Sequence, residues 1–261
     1  METRQLLLTG GMVLLAIGCG SPASPQKPVA STPPAATTEL PANTSSNPTE
    51  KEDTSVASAP DAEMSSGEIA QEPDTPFQLE EGYTPLSFSD FEAFAAESGT
   101  WEGTPDGLKC TGKPPGYLYS KQAYQNFTWR LEYRFPRPAT LKDETKFNGN
   151  TGFLVYITGE HKVWPVCLEV QGKFAQMAAI KENGGAQPVT ATDDDAARQK
   201  ARKPVGQWNA LEIVSTNGAL SVSLNGTPIS KCEPDFLSEG LIGIQAEKHP
   251  FEVRRMRIRR D

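Results

Sequence analysis

The stretch that most limits how this chain can fold is Phe127 to Phe135, FTWRLEYRF. Phe127, Trp129, Leu131, Tyr133 and Phe135 take every second position, with Thr128, Arg130, Glu132 and Arg134 between them. Side chains of a strand point alternately to its two sides, so this pattern predicts a strand with one aromatic face in a core. The other face carries an Arg-Glu-Arg row, with charges about 6.5–7 Å apart. Residues 166–171, VCLEVQ, repeat the pattern, with Cys167, Glu169 and Gln171 on one face. If the two strands share a sheet, Arg130, Glu132, Arg134, Glu169 and Gln171 converge on one polar face. The plainer alternative makes the charged row a set of cross-strand ion pairs.

The rest of this region repeats short apolar runs between turn signals, as in YTPLSF, WEGTPDGLKC and GYLYS. That spacing predicts an all-β sandwich. ALEIVSTNGALSVSLNGTPIS reads as a three-stranded meander turning at Asn217-Gly218 and Asn225-Gly226. LIGIQAE reads as a buried strand. In FEVRRMRIRR the apolar register slips after Val253, which predicts a bulge near Arg254-Arg255. Helix is expected at two places only. SDFEAFAAES, 89–98, has a serine cap with Glu92 three residues on. ATDDDAARQKARK, 191–203, has acids first and bases last, which suits the helix dipole, and reads as a solvated helix or loop over the sheet.

Ahead of this region the composition changes. Arg4, the apolar run Leu6 to Ile17 and small residues leading to Cys19 form a secretory signal too short to span a membrane. Cys19 after Ala16-Ile17-Gly18 resembles a bacterial lipobox, although the usual leucine sits one position early, at Leu15. The expected organisation is a signal peptide over 1–18, a lipidated Cys19, a disordered linker over 19–76 and a folded domain over 77–261. From Gly20 to Pro76 there is no Phe, Tyr or Trp, so the linker cannot bury enough apolar surface to offset its ordering entropy. Its root-mean-square reach is about 40 Å. The protein is thus expected to be exported and held at the cell envelope by its lipid alone. The 25 Lys+Arg against 33 Asp+Glu leave a charge of -8, which argues against a nucleic-acid partner. Cys110, Cys167 and Cys232 leave an odd thiol in an exported chain, and their spacing forms no zinc motif.

With the strands placed, residues of about 81–260 resemble the 3-keto-disaccharide hydrolase family, also described as 3-keto-glucoside lyases and hydratases. The matching pieces are GTWEGTPDGLKCTGKPPGYLYSKQAYQNFTWRLEYRF, GNTGFLVYI, HKVWPVCLEVQ, PVGQWNALEIV and EGLIGIQAEKHPFEVRRMRIR. Thr151 stands where the family typically has serine. The resemblance implies a concanavalin A-like jelly-roll sandwich acting on carbohydrate. It also implies a chemistry. In a 3-keto-glycoside the C3 carbonyl acidifies the proton on C2, and elimination then expels the group on C1. That requires a base near C2, a stabiliser for the enolate and an acid for the leaving group.

By residue type, Glu169, Glu132 and His161 are the candidate catalytic groups. Arg130, Arg134, Trp164, Gln171, Asn150, Gln245 and Glu247 are the candidate substrate contacts, and a divalent metal is an alternative to arginine as the enolate stabiliser. Each has a plainer reading: Trp164 can plug the core, Asn150 can shape a turn, and Glu169 can be a buried structural partner. The alternative for the whole domain is a non-catalytic, lectin-like sugar-binding module displayed at the cell surface.

Overall fold

The computed structural model describes residues 76–233 and 236–261. The expected signal peptide, the lipidated Cys19 and the linker as far as residue 75 lie outside the described residues.

The chain opens with β1 (Thr84–Pro85), a 3-10 turn at Phe88–Asp90, β2 (Phe91–Phe94), β3 (Trp101–Thr104) and β4 (Gly107–Cys110). β5 (Gly116–Tyr124), β6 (Phe127–Arg134), β7 (Gly152–Thr158), β8 (Val166–Gln171) and β9 (Ile180–Asn183) follow. β10 (Ala191–Asp193) leads into α1 (Asp195–Ala201), and β11 (Asn209–Thr216), β12 (Ala219–Leu224), β13 (Thr227–Cys232), β14 (Gly240–Ala246) and β15 (Phe251–Arg260) complete the chain. Among the described residues these strands form two antiparallel sheets. One is nine-stranded, in the order β10-β13-β12-β11-β6-β15-β4-β3 with β1 added beside β15; the other is six-stranded, in the order β2-β5-β14-β7-β8-β9.

The aromatic face of β6 enters the core between the sheets, as its alternation requires: Phe127, Trp129, Leu131 and Tyr133 are buried. Trp129 and Tyr133 meet Phe153 of β7 edge-on across the sandwich, at centroid distances of 6.0 and 4.8 Å. Burying one such ring contributes on the order of 2–3 kcal/mol. The register slips in β7 between Val155 and Thr158, where Tyr156 takes a positive φ of 60°. The slip lets Val155 and Tyr156 both enter the core while Leu154 and Ile157 stay on the outer face. The Tyr156 hydroxyl is tied to Ser215 of the opposite sheet at 2.6 Å.

The meander appears as expected, with Asn217 and Asn225 in the left-handed region before Gly218 and Gly226. The bulge in β15 falls between Arg254 and Arg257, with Arg255 at φ 54°. It places Arg254, Arg255 and Arg257 where all three ion-pair with glutamates. Cys110, Cys167 and Cys232 are buried.

Two helix expectations are corrected. At 89–98 there is only the 3-10 turn, followed by β2. The capping serine is Ser87, whose N–H and hydroxyl donate to Asp90 at 2.7 and 2.8 Å. Glu92 accepts from Tyr119 of the neighbouring strand instead. Pairing with β5 and burial of Phe91 outweigh a weak local helix preference. At 191–203 the first residues pair with β13 as β10, and the helix shrinks to Asp195–Ala201 under an Asp194 cap. Nor is it wholly solvated: Arg198 is buried, donating to the Met177 carbonyl at 2.7 Å and ion-paired with Asp193 and Asp195.

Candidate functional site

The convergence of Arg130, Glu132 and Arg134 with Glu169 and Gln171 does not occur, because β6 belongs to the nine-stranded sheet and β8 to the six-stranded one. Alternation fixes which side chains share a face, but not which strands become neighbours. On its own sheet the Arg-Glu-Arg row is consumed by cross-strand pairs. Arg130 bonds Glu212 at 2.6 Å and Glu80 at 3.2 Å. Glu132 accepts from Arg254 at 2.7 Å and Arg255 at 3.0 Å. Arg134 bonds Glu252 at 2.7 Å and lies 4.5 Å over the ring of Trp208. A depression of about 280 Å³ between Arg130, Glu132, Glu212 and Arg257 is lined by these already paired charges.

The other polar residues collect on the outer face of the six-stranded sheet. Its inner face holds Leu118, Phe153, Leu168, Val170 and Ile244 in the main core. The alternate positions therefore face outward, and a second apolar cluster of Tyr117, Leu154, Ile157 and Cys167 forms there. Strand register builds two rows across this face. In one, Phe94 is opposite Tyr117 and Tyr117 opposite Gln245; further along, Gly152 is opposite Gln171. In the other, Glu92 is opposite Tyr119, Tyr119 opposite Gly243, Gly243 opposite Leu154, Leu154 opposite Glu169 and Glu169 opposite Lys181.

The Glu169 carboxylate does not stand over its own strand. It leans across β7 onto Gly152, where a Cβ would lie 2.3 Å from Oε1. Glycine at 152 is therefore what makes room for it. Gly152 is the first residue of β7. Around the carboxylate is a group of buried polar atoms without hydrogen-bond partners: Glu169 Oε1, Gln171 Oε1, Asn150 Oδ1 and both amide atoms of Gln245. The Thr151 hydroxyl pins the loop carrying Asn150 to this place by donating to the Gln245 carbonyl at 2.7 Å. Leaving a buried polar atom unpaired costs about 1–3 kcal/mol, so several side by side mark a place built to hold hydroxyls of a ligand or of water.

Burial drives the Glu169 carboxyl up to about 7, helped by the nearby Glu247 and opposed by Lys181. A carboxyl so placed exchanges protons near neutrality, as a general base must. The Cys167 thiol is pushed up to about 12 by burial, against a 3.6 Å contact from the Asn183 amide, and is protonated at neutral pH. That removes Cys167 as a thiolate nucleophile.

Beside this nest His161 stands in an aromatic group whose other rings, Phe94, Tyr117 and Tyr119, sequence reasoning missed. His161 Nδ1 is hydrogen-bonded to the Tyr117 hydroxyl at 2.6 Å, and its ring lies 4.2 Å from Tyr119 and 5.9 Å from Phe94. Burial lifts the Tyr117 hydroxyl to about 12, so it stays protonated at neutral pH. The signal for these residues was the alternation of Tyr117 and Tyr119 in GYLYS, which put both on one face without saying which. Trp164 is 42% exposed in the loop after His161, so it does not plug the core. Glu247 follows β14 and acts on Glu169 through its charge. Among the described residues no group of three or more His, Cys, Asp or Glu is arranged to hold a metal ion. The donors around Glu169 are one carboxylate and several amide oxygens, hard ligands of the kind that hold calcium or magnesium rather than zinc.

Two antiparallel sheets with a buried polar nest on an outer face make an all-β sandwich of the jelly-roll class. Residues 85–259 match the 3-keto-alpha-glucoside-1,2-lyase-like domain, and the chain belongs to that family. The solved structures it resembles include two proteins from Parabacteroides distasonis provisionally assigned as glycosyl hydrolases. The first is 19% identical with a TM-score of 0.51, over 69% of this chain and 99% of that one. The second is 15% identical with a TM-score of 0.50, over 69% of this chain and 94% of that one. A carbohydrate binding module from Bacillus subtilis is 13% identical with a TM-score of 0.41, over 68% of this chain and 95% of that one. No curated protein matches the chain.

Proposed function

We propose that this domain cleaves 3-keto-glycosides by elimination followed by hydration, with Glu169 as the base. The observation that carries this reading is the Glu169 carboxyl, buried over Gly152, titrating at about 7 and surrounded by unpartnered amides. Glu169 takes the proton from C2, and the electron pair moves into an enolate on the C3 oxygen. The Gln245 amide nitrogen, a buried donor without a partner, hydrogen-bonds that oxygen as its charge develops. The enolate collapses, the C1–O bond breaks, and His161 protonates the departing oxygen. The hydrogen bond between Tyr117 and Nδ1 fixes the imidazole so that its other ring nitrogen faces the departing oxygen. Water then adds at C1 of the enone and gives its proton back to His161, while Glu169 returns its proton to C2. Gln171, Asn150 and Glu247 hold hydroxyls of the sugar. The strand spacing between β7 and β5 gives about 10 Å between base and acid at sheet level, enough for a sugar ring to lie between them.

An exported lipoprotein carrying this domain, tethered through Cys19, belongs to the same proposal and rests on the sequence pattern before residue 77. The test is to incubate the full chain and its Glu169→Gln variant with a 3-keto-glucoside bearing a chromogenic aglycone, with and without chelator. Release by the native protein alone supports the reading, and loss on chelation would add a metal. Glycan binding without release would leave a lectin-like module instead.

A further inference from the structure

The outer face of the six-stranded sheet is chemically divided. On the Glu169 side, four acceptor oxygens and one donor nitrogen are buried without partners. On the β2–β5 edge the two tyrosine hydroxyls are already engaged. The Tyr119 hydroxyl donates to Glu92 at 2.9 Å, and the Tyr117 hydroxyl is bonded to His161 at 2.6 Å. What that edge offers is ring surface. Phe94, Tyr119 and His161 are each only half-buried, and Leu241 joins them as a partly buried neighbour of the same cluster. Phe94 and His161 rings are near-parallel, 24° apart.

From this division we infer that the ledge of Phe94, Tyr119 and His161 is an aglycone subsite that selects a planar aromatic group over a second sugar. This rests on the lyase reading, which puts the glycon in the polar nest. A sugar ring in the leaving position needs partners for its hydroxyls, and a ledge whose own hydroxyls are engaged supplies few. An aryl group loses nothing there and gains ring contacts, each worth about 0.5–1.5 kcal/mol beyond its area. The subsite begins at His161, so an aglycone on the ledge brings its glycosidic oxygen to the imidazole proposed to protonate it.

The test compares 2-phenylethyl 3-keto-glucoside with a 3-keto-disaccharide of the same glycon. Both leaving groups are alkoxides, so leaving-group acidity does not decide the result. The full chain is expected to favour the phenylethyl substrate about tenfold in kcat/KM. Phe94→Ala/Tyr119→Ala should bring the ratio of the two kcat/KM values close to one, whatever its effect on either rate. Equal native rates, or a preference untouched by the double variant, would overturn the subsite. If the double variant does not fold, Phe94→Leu serves, keeping apolar volume without the ring; an undiminished preference there overturns the subsite in the same way. A separate readout is binding of unoxidised 2-phenylethyl glucoside and of the parent disaccharide to the Glu169→Gln protein by calorimetry. Tighter phenylethyl binding with no release from either keto substrate would sustain the ledge and sink the lyase reading. Equal binding alongside normal release would do the reverse.

Discussion

Glu169 and Gly152 are opposed as side chain and absence of side chain: the carboxylate of one lies 2.3 Å from where the Cβ of the other would be. The residues sit on adjacent strands, two positions apart in register, Gly152 being paired with Gln171 and Glu169 with Leu154. Gly152→Ala should therefore force the carboxylate off the nest while leaving the sheet's hydrogen bonds intact. Aglycone release from a 3-keto-glucoside is expected to fall about 100-fold, because misplacing a catalytic group by about an ångström costs that much. Full activity in a folded Gly152→Ala protein, checked by circular dichroism, would remove Glu169 from the role of base.

The pH response of Glu169 has opposite signs for activity and stability. Its carboxyl is raised from 4.5 to about 7, first by burial and then by Glu247. Activity needs the carboxylate, so kcat/KM should rise through pH 7. The folded state, by contrast, holds the proton more tightly than the unfolded one. Stability is thus full below pH 4.5 and declines as pH climbs to 7, by on the order of 3 kcal/mol. Glu169→Gln should flatten that decline in denaturant midpoints measured from pH 4 to 8, and an unchanged slope would contradict the assignment.

Glu132 is expected to matter to stability alone. Glu132→Gln strips the charge that pairs Arg254 and Arg255, and these side chains are mostly buried. A loss of about 1–3 kcal/mol in urea unfolding is expected. Cleavage should stay within twofold of the native rate, and a large kinetic loss would return Glu132 to the site.

Glu80 holds the chain ahead of β1 against the nine-stranded sheet through Arg257 and Arg130. The Arg257 hydrogen bond lowers its carboxyl from 4.5 to about 2. Its stabilisation is present above pH 4.5 and is lost as pH falls toward 2. Glu80→Gln should remove that part of the acid sensitivity, seen as a shallower fall in melting temperature between pH 5 and 2. Cleavage at neutral pH should not change.

Tyr117 is a positioning residue. Tyr117→Phe keeps the ring and removes the bond to His161. We expect kcat to drop about tenfold with KM nearly unchanged, and the alkaline limb of the pH-rate profile to shift. A change in KM alone would mean that Tyr117 only contacts substrate.

Much of the architecture was legible because it is written in short-range pattern. The alternation of Phe127 to Phe135, the Asn-Gly turns at 217 and 225 and the register slip after Val253 each express a local geometry, period 2 or a left-handed turn. The family, too, was visible in the order of short motifs. The site was legible in part. Glu169, Gln171 and Gln245 were nameable as polar residues in apolar strands, and Asn150 and His161 as polar residues of loops. Tyr117, Tyr119 and Phe94 could not be singled out, since an outward and an inward tyrosine look alike in a strand of mixed burial. The helix expected at 89–98 failed where a weak local preference met a strand edge that needed covering.

By itself, then, the sequence determined that the chain makes strands, where they turn and which residues share a face, because those follow from backbone geometry over a few residues. Only the tertiary structure decided which strands became neighbours. It separated Arg130, Glu132 and Arg134 from Glu169, assigning the first three to ion pairs and the last to a buried nest. Pairing partners in a two-sheet sandwich lie many residues apart, and their choice depends on packing the whole core at once.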